Sequence, residues 1–325
     1  MSQIDGEIGA TDRKCEDLQF QRQCDAKTSG RTDAGGVSAE SDRSTGFILD
    51  QGRFEQGEEH RVHARVRSFS RAGGRLHGHH AETLAAHGPK YVLDIPRRDA
   101  IRTVSTDYRC DAEAIFGRSA PRIVEIGPGS GEALIAHAAA HPDVDYIAVE
   151  VWETAIARLV AGIVRENLSN VRVAPVDASQ FLQTALAPQS LDEVWTFFPD
   201  PWRKARHRKR RLVTVDFARI VARTLKRGGV WRLATDWADY AWQMRDVLEE
   251  AAALGIVDYP DAGRAPLQGS DTWVEGDRGN GIDPGSPRGV MGGWSERFEG
   301  RVMTRFEQRG IDAGRVIRDL NAIRP

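Results

Sequence analysis

The chain has 325 residues, 40% hydrophobic and 28% charged, enough apolar material for a sizeable core in one large or two ordinary domains. Its formal net charge of −2 hides a segregation: residues 1–59 hold thirteen Asp or Glu against seven Lys or Arg, and the remainder is net positive. No apolar run is long enough to span a membrane, no signal-peptide hydrophobic stretch opens the chain, and Cys15, Cys24 and Cys110 form no CxxC pair, which argues for a reducing cytoplasm and against a disulfide framework or zinc site.

Residues 1–60 are polar, acidic and without sustained period, which predicts a disordered tail. Residues 61–118 read as a basic amino-terminal extension. His63, His77, His79, His80 and His87 fall within it, but no accompanying carboxylate or Cys pattern supports a metal site. From residue 119 onward strands and helices alternate. Arg122–Gly127, Asp145–Glu150, Val171–Asp177, Leu191–Phe198 and Val230–Asp236 read as five strands. Helices are predicted over Glu132–His141, Glu153–Glu166, Val213–Lys226 and Trp237–Leu254, the third closed by Gly228 and Gly229. This alternation predicts βαβ units and an α/β fold with a parallel sheet covered on both faces. Residues 259–298, rich in Gly, Pro and Asp, read as a long loop.

Gly127-Pro-Gly-Ser-Gly131 lies between the first strand and its helix, where glycines allow a tight turn and close approach to a ligand. Alone, such a loop could serve a dinucleotide or S-adenosylmethionine, or be only a tight turn. Glu132 occupies the position where the dinucleotide fingerprint needs its last glycine. Glu125 stands two residues before the loop, Glu150 ends the second strand, and Asp177 ends the third. Acids at three consecutive strand ends would repel a pyrophosphate and suit a cationic, phosphate-free nucleoside, which points to S-adenosylmethionine, with no metal.

Phe197-Phe-Pro-Asp-Pro-Trp202 then places Asp200 between two prolines at the end of the fourth strand, and seven Lys or Arg follow within residues 203–211. Proline fixes its own φ and biases its predecessor toward extended geometry, so Asp200 is expected on a stiff turn at the edge where open α/β sheets bind ligands. An acid beside an aromatic ring and a cationic run points to a polyanionic substrate such as nucleic acid.

With these segments, the chain resembles the bacterial tRNA (guanine-N7-)-methyltransferase family from about Val66 onward. The resemblance rests on Phe197–Trp202 with Lys204, Arg206, His207 and Lys209–Arg211, on Ala234-Thr-Asp-Trp237, on Thr304-Arg-Phe-Glu-Gln-Arg-Gly310, and on Arg67-Ser-Phe69 with Arg75. It implies a class I, Rossmann-like methyltransferase domain over 119–325, with a mostly parallel seven-stranded sheet and an antiparallel carboxy-terminal strand. It implies methylation of guanosine N7 in tRNA, at position 46, in the cytoplasm. Glu125, Gly127, Gly129, Gly131, Glu150, Asp177 and Asp200 would then hold S-adenosylmethionine, with Asp200 also catalytic. Lys204, Asp236, Thr304, Arg305, Phe306 and Glu307 would bind tRNA, joined by Arg206, Arg208, Lys209 and Arg210. The partner is tRNA, no obligatory protein partner is implied, and the chain would be a monomer or homodimer. Competing readings are a non-catalytic RNA-binding protein, a nucleotide-dependent oxidoreductase and a small-molecule methyltransferase on the same sheet.

Overall fold

The computed structural model describes residues 76, 78–98, 100, 102–264 and 292–325. The predicted acidic tail, Cys15, Cys24, His63, His77, the segment Arg67–Phe69 with Arg75, and residues 265–291 of the predicted loop lie outside the described residues.

Six strands form one sheet: β1 (Arg122–Ile126), β2 (Asp145–Val149), β3 (Val171–Ala174), β4 (Leu191–Phe197), β5 (Leu225–Thr235) and β6 (Arg318–Ile323). Their order is β3-β2-β1-β4-β5-β6, parallel throughout except for β6, which runs antiparallel to β5. The helices are α1 (His79–Tyr91), α2 (Ala112–Phe116), α3 (Glu132–Ala140), α4 (Glu153–Arg165), α5 (Ala178–Gln180), α6 (Val215–Thr224), α7 (Ala238–Ala253) and α8 (Arg305–Asp312). Every residue of β2 is buried, as expected of a strand covered on both faces. α4 turns Ile156, Leu159, Val160 and Ile163 to the sheet at helical spacing, and α6 does the same with Phe217, Ala218 and Val221. The sheet separates two cores, one around Trp231, Tyr240 and Met244, the other around Tyr146, Leu134 and Trp195.

Two features differ from the sequence reading. Gly228 and Gly229 do not cap α6, which ends at Thr224; they lie inside β5, where Leu191 pairs with Leu225 and Glu193 already pairs with Val230. The surplus residues form a bulge, with Gly228 at φ +74°. A side chain on Gly229 would meet the Asp192 carbonyl oxygen at 3.0 Å, so the bulge requires glycine. In place of a seventh strand, the described residues show isolated antiparallel bridges to β6: Asp258 with Ile323, through reciprocal bonds of 2.7 and 2.9 Å, and Ser295 with Asp319. Pro260, two residues after Asp258, cannot donate to a continued ladder.

The carboxyl ends of the parallel strands line up along one edge, since Ile126 pairs with Val149, Val149 with Ala174, and Phe197 with Ala234. Strand order reverses between β1 and β4, which opens a crevice above those two ends.

Candidate active site

The crevice begins with the turn from β1 into α3. Gly127, Gly129 and Gly131 all have positive φ, at 68°, 59° and 78°. A side chain on Gly131 would run into Leu159 Cδ1 at 2.2 Å, so α4 can approach the start of α3 only past a bare backbone. Glu150, after β2, braces this loop. Its carboxylate accepts hydrogen bonds from the Gly129 N–H (3.2 Å), the Val151 N–H (2.7 Å) and the Trp152 N–H (2.9 Å). Burial nevertheless holds its carboxyl above the usual range.

Glu125, on β1, differs. It is 4% exposed, and its Oε2 has no hydrogen-bond partner among the described residues. Burial pushes its carboxyl up to about 8, against the pull of the nearby Arg301 cation and with the Glu150 charge adding to the rise. It lines a cavity of about 490 Å³ together with the glycine loop, Phe198, Asp200 and, from the far wall, Thr304, Arg305 and Phe306.

Asp200 stands at the exposed rim of this cavity, and the surrounding protein mass raises its carboxyl from the ordinary value while Arg210 pulls the other way. The turn that carries it is strained: Phe198 has φ 50° and Trp202 φ 45°, a region that bulky side chains rarely enter. Packing holds both aromatics there. Arg301 lies 5.5 Å from the Phe198 ring centroid, and Arg210 lies 3.6 Å over Trp202.

The cationic run does not form one face. Arg211 is buried, donating to the Pro201 carbonyl (2.8 Å) and the Asp239 carboxylate (2.6 Å). Arg208 pairs with the same carboxylate at 3.2 Å. Arg203 lies 4.5 Å over Trp237. Lys204, Arg206 and Lys209 remain exposed, on and beside a 3₁₀ segment, Ala205–Arg210. The expected phosphate surface therefore narrows to about half of its members.

The far wall begins at α8. Thr304 caps the helix by accepting from the Glu307 N–H (3.1 Å), a local pattern legible in Thr-Arg-Phe-Glu. Arg305 clasps Glu132 of α3 through its backbone N–H (2.6 Å) and its Nε (2.5 Å), closing the crevice from one side. Phe306 is 55% exposed with its ring 5.8 Å from Phe198, and Trp152 is 44% exposed on the same cavity. Exposed aromatic rings beside a cavity are suited to a flat ligand.

Of the residues singled out by sequence, Glu125, Gly127, Gly129, Asp200, Thr304, Arg305 and Phe306 share this cavity. Gly131 and Glu150 shape its loop from behind. Asp177 caps α5, accepting from the Gln180 N–H (3.0 Å), and does not line it. Asp236 is buried and accepts from Arg315 Nε (2.7 Å). Glu307 is buried and fully engaged by Arg297 and Arg301. Both carboxylates are engaged in ion pairs within the protein. Among the described residues no three His, Cys, Asp or Glu converge as a metal site.

The model of a family described as "Putative methyltransferase" matches residues 119–267. A protein of Arthrobacter sp. (strain FB24) named tRNA (guanine-N(7)-)-methyltransferase is 44% identical over 273 residues, spanning 78% of this chain and 84% of its own. Proteins with the same name from Cutibacterium acnes and Pseudomonas putida (strain KT2440 among them) are 39% and 37% identical, covering 85% and 81% of this chain and 88% and 92% of their own. The chain belongs to the tRNA (guanine-N(7)-)-methyltransferase family. A solved structure of the 16S rRNA methyltransferase KamB is 16% identical, with a TM-score of 0.38 over 70% of this chain and all of that one.

In this member of the family, sequence reasoning missed Arg158 and Arg309, which line the cavity from α4 and α8, and Arg301, which stands behind it. An arginine on a helix gives no sequence signal for facing a cavity. Arg301 had one faint signal, its place three residues before a capping Thr.

Proposed function

We propose that the chain transfers the methyl group of S-adenosylmethionine to N7 of a guanosine in tRNA, at position 46, in the cytoplasm. The observation that carries this reading is a buried carboxyl, Glu125, whose Oε2 has no hydrogen-bond partner among the described residues, lining the same cavity as Asp200 and a glycine loop. An orphaned carboxyl calls for a cationic or amine-bearing partner, and the bare loop with Trp152 and Phe306 leaves room for a nucleoside. The residues thus fit S-adenosylmethionine. Glu125 would hold a positive group of the cofactor, and Gly127 and Gly129 would let its body approach the backbone.

When bound, S-adenosylmethionine supplies an electrophilic methyl on a sulfonium. Guanine N7 carries an in-plane lone pair and no proton, so the chain needs no general base. Its task is positioning and electrostatics. Asp200, at the rim between glycine loop and solvent, would accept from the guanine N1–H and exocyclic amine, and balance the positive charge that methylation gives the base. Phe306 offers a ring for stacking on an extruded base. Lys204, Arg206 and Lys209 supply exposed cations for phosphates.

The test is incubation with unmodified bulk tRNA and labelled S-adenosylmethionine, followed by nucleoside analysis. Label in 7-methylguanosine is expected, lost when G46 is replaced. Asp200→Ala is expected to reduce kcat by about 100-fold or more and to weaken cofactor binding far less. Cofactor binding without transfer would favour a non-catalytic RNA-binding protein, and full activity of Asp200→Ala would remove its assignment.

A further inference from the structure

Arg301 is 1% exposed and does not line the cavity, yet it holds together three segments around it. Its guanidinium donates to Glu307 at 3.3 Å (Nε) and 3.1 Å (Nη2), and to Asp319 at 2.5 Å (Nη1) and 3.0 Å (Nη2). It also lies 5.0 Å from the Phe197 ring centroid and 5.5 Å from that of Phe198. Arg297 completes the charge balance by pairing with Glu307 at 2.9 Å. One side chain thus joins the start of α8, the antiparallel edge strand β6 and the end of β4.

Burying such a network is costly, and apolar side chains of similar volume would commonly hold three elements together at least as well. What a planar fork adds is direction: two carboxylates and two ring faces fix its orientation, and it fixes theirs. The segment most in need of this is Phe198, held at φ 50° two residues before Asp200. A bulky residue stays in that region only where its surroundings over-determine it.

We propose that Arg301 is a positioning residue for methyl transfer: it locks the Phe198–Trp202 turn to the amino end of α8, and so sets where Asp200 and Phe306 stand across the cavity. This rests on the methyl-transfer reading above. A purely structural arginine would affect melting temperature, whereas a positioning arginine also governs kcat and the charge felt by Glu125. Facing Glu125 are Arg301 from the segment before α8 and Glu150 after β2. Glu132 on α3, Arg158 on α4, Asp200 after β4, and Arg305 and Arg309 on α8 surround the same cavity.

The experiment compares wild type, Arg301→Lys and Arg301→Gln by melting temperature, kcat on tRNA, and titration with S-adenosylmethionine from pH 6.5 to 9.5. Wild type must methylate tRNA; failure there overturns the reaction and not Arg301's part in it. Arg301→Lys keeps the charge and loses the fork. It is expected to fold, to bind cofactor within about threefold of wild type with the same pH midpoint, and to lose kcat by about 10- to 100-fold. Arg301→Gln loses the charge as well, and the pH midpoint of cofactor binding is expected to move upward. A folded variant with kcat within about threefold of wild type overturns the proposal. Loss of folding in both variants also overturns it, since it would assign Arg301 to stability alone.

Discussion

Glu125 is pulled two ways at the residue scale. Burial raises its carboxyl from the ordinary 4.5 to about 8, so in the ligand-free protein it is mostly protonated at neutral pH. Because the folded form holds this proton more tightly than the unfolded form, the associated stability is complete below 4.5 and is lost as pH rises through 8. A cationic ligand reverses the preference, since it binds the ionised form. Affinity for S-adenosylmethionine is therefore expected to rise with pH up to about 8 and then level off, with a proton released on binding at neutral pH. Glu125→Gln should bind weakly with a flat pH profile, and calorimetry in buffers of different ionisation enthalpy would check both. An unchanged profile in the variant would mean that another group titrates.

At the element scale, the segment from Arg203 to Arg211 shows how one run of like charges is divided between scaffold and surface. Lys204, Arg206 and Lys209 are exposed, and replacing all three by Ala is expected to lower the salt dependence of tRNA binding by about two to three in log–log slope while leaving the melting temperature in place. Arg211→Ala should do the opposite. It strips a buried cation from Asp239 and the Pro201 carbonyl, so a loss of about 3 kcal/mol in stability is expected by denaturant titration, with the salt slope retained. Sequence alone could not make this division, because nothing local tells a buried Arg211 from an exposed Lys209. The alternation of strands and helices was legible for a different reason: apolar period and glycine punctuation are local signals. α1 carries no clear local helix signal, since His79–Tyr91 holds three histidines and a Gly-Pro pair in 13 residues, and it packs against α4 and β3. Gly228 and Gly229 gave the right punctuation and the wrong feature, as a bulge and a helix cap ask for the same residue.

Over the whole described sheet, β6 is both an edge and a clamp. It pairs with β5 from Val230–Ile323 to Thr235–Arg318 and supplies Asp319 to Arg301. Removing residues from Arg318 onward would expose β5 as a new edge and leave Arg301 half-satisfied, so loss of a cooperative melting transition and a tendency to aggregate are expected, measured by calorimetry and light scattering. Of the candidate site, the acids and glycines on the parallel strands were visible as motifs. The network that aims them was not, because Arg301, Glu307 and Asp319 meet only through the fold.

The clasp between Arg305 and Glu132 joins positions 173 residues apart. On a ribosome adding roughly 5–20 residues per second, the segments bearing Glu125 and Asp200 are made several seconds before α8 and β6 emerge to close the crevice. The ability to transfer a methyl group therefore arrives late in synthesis, after the parallel strands have been made.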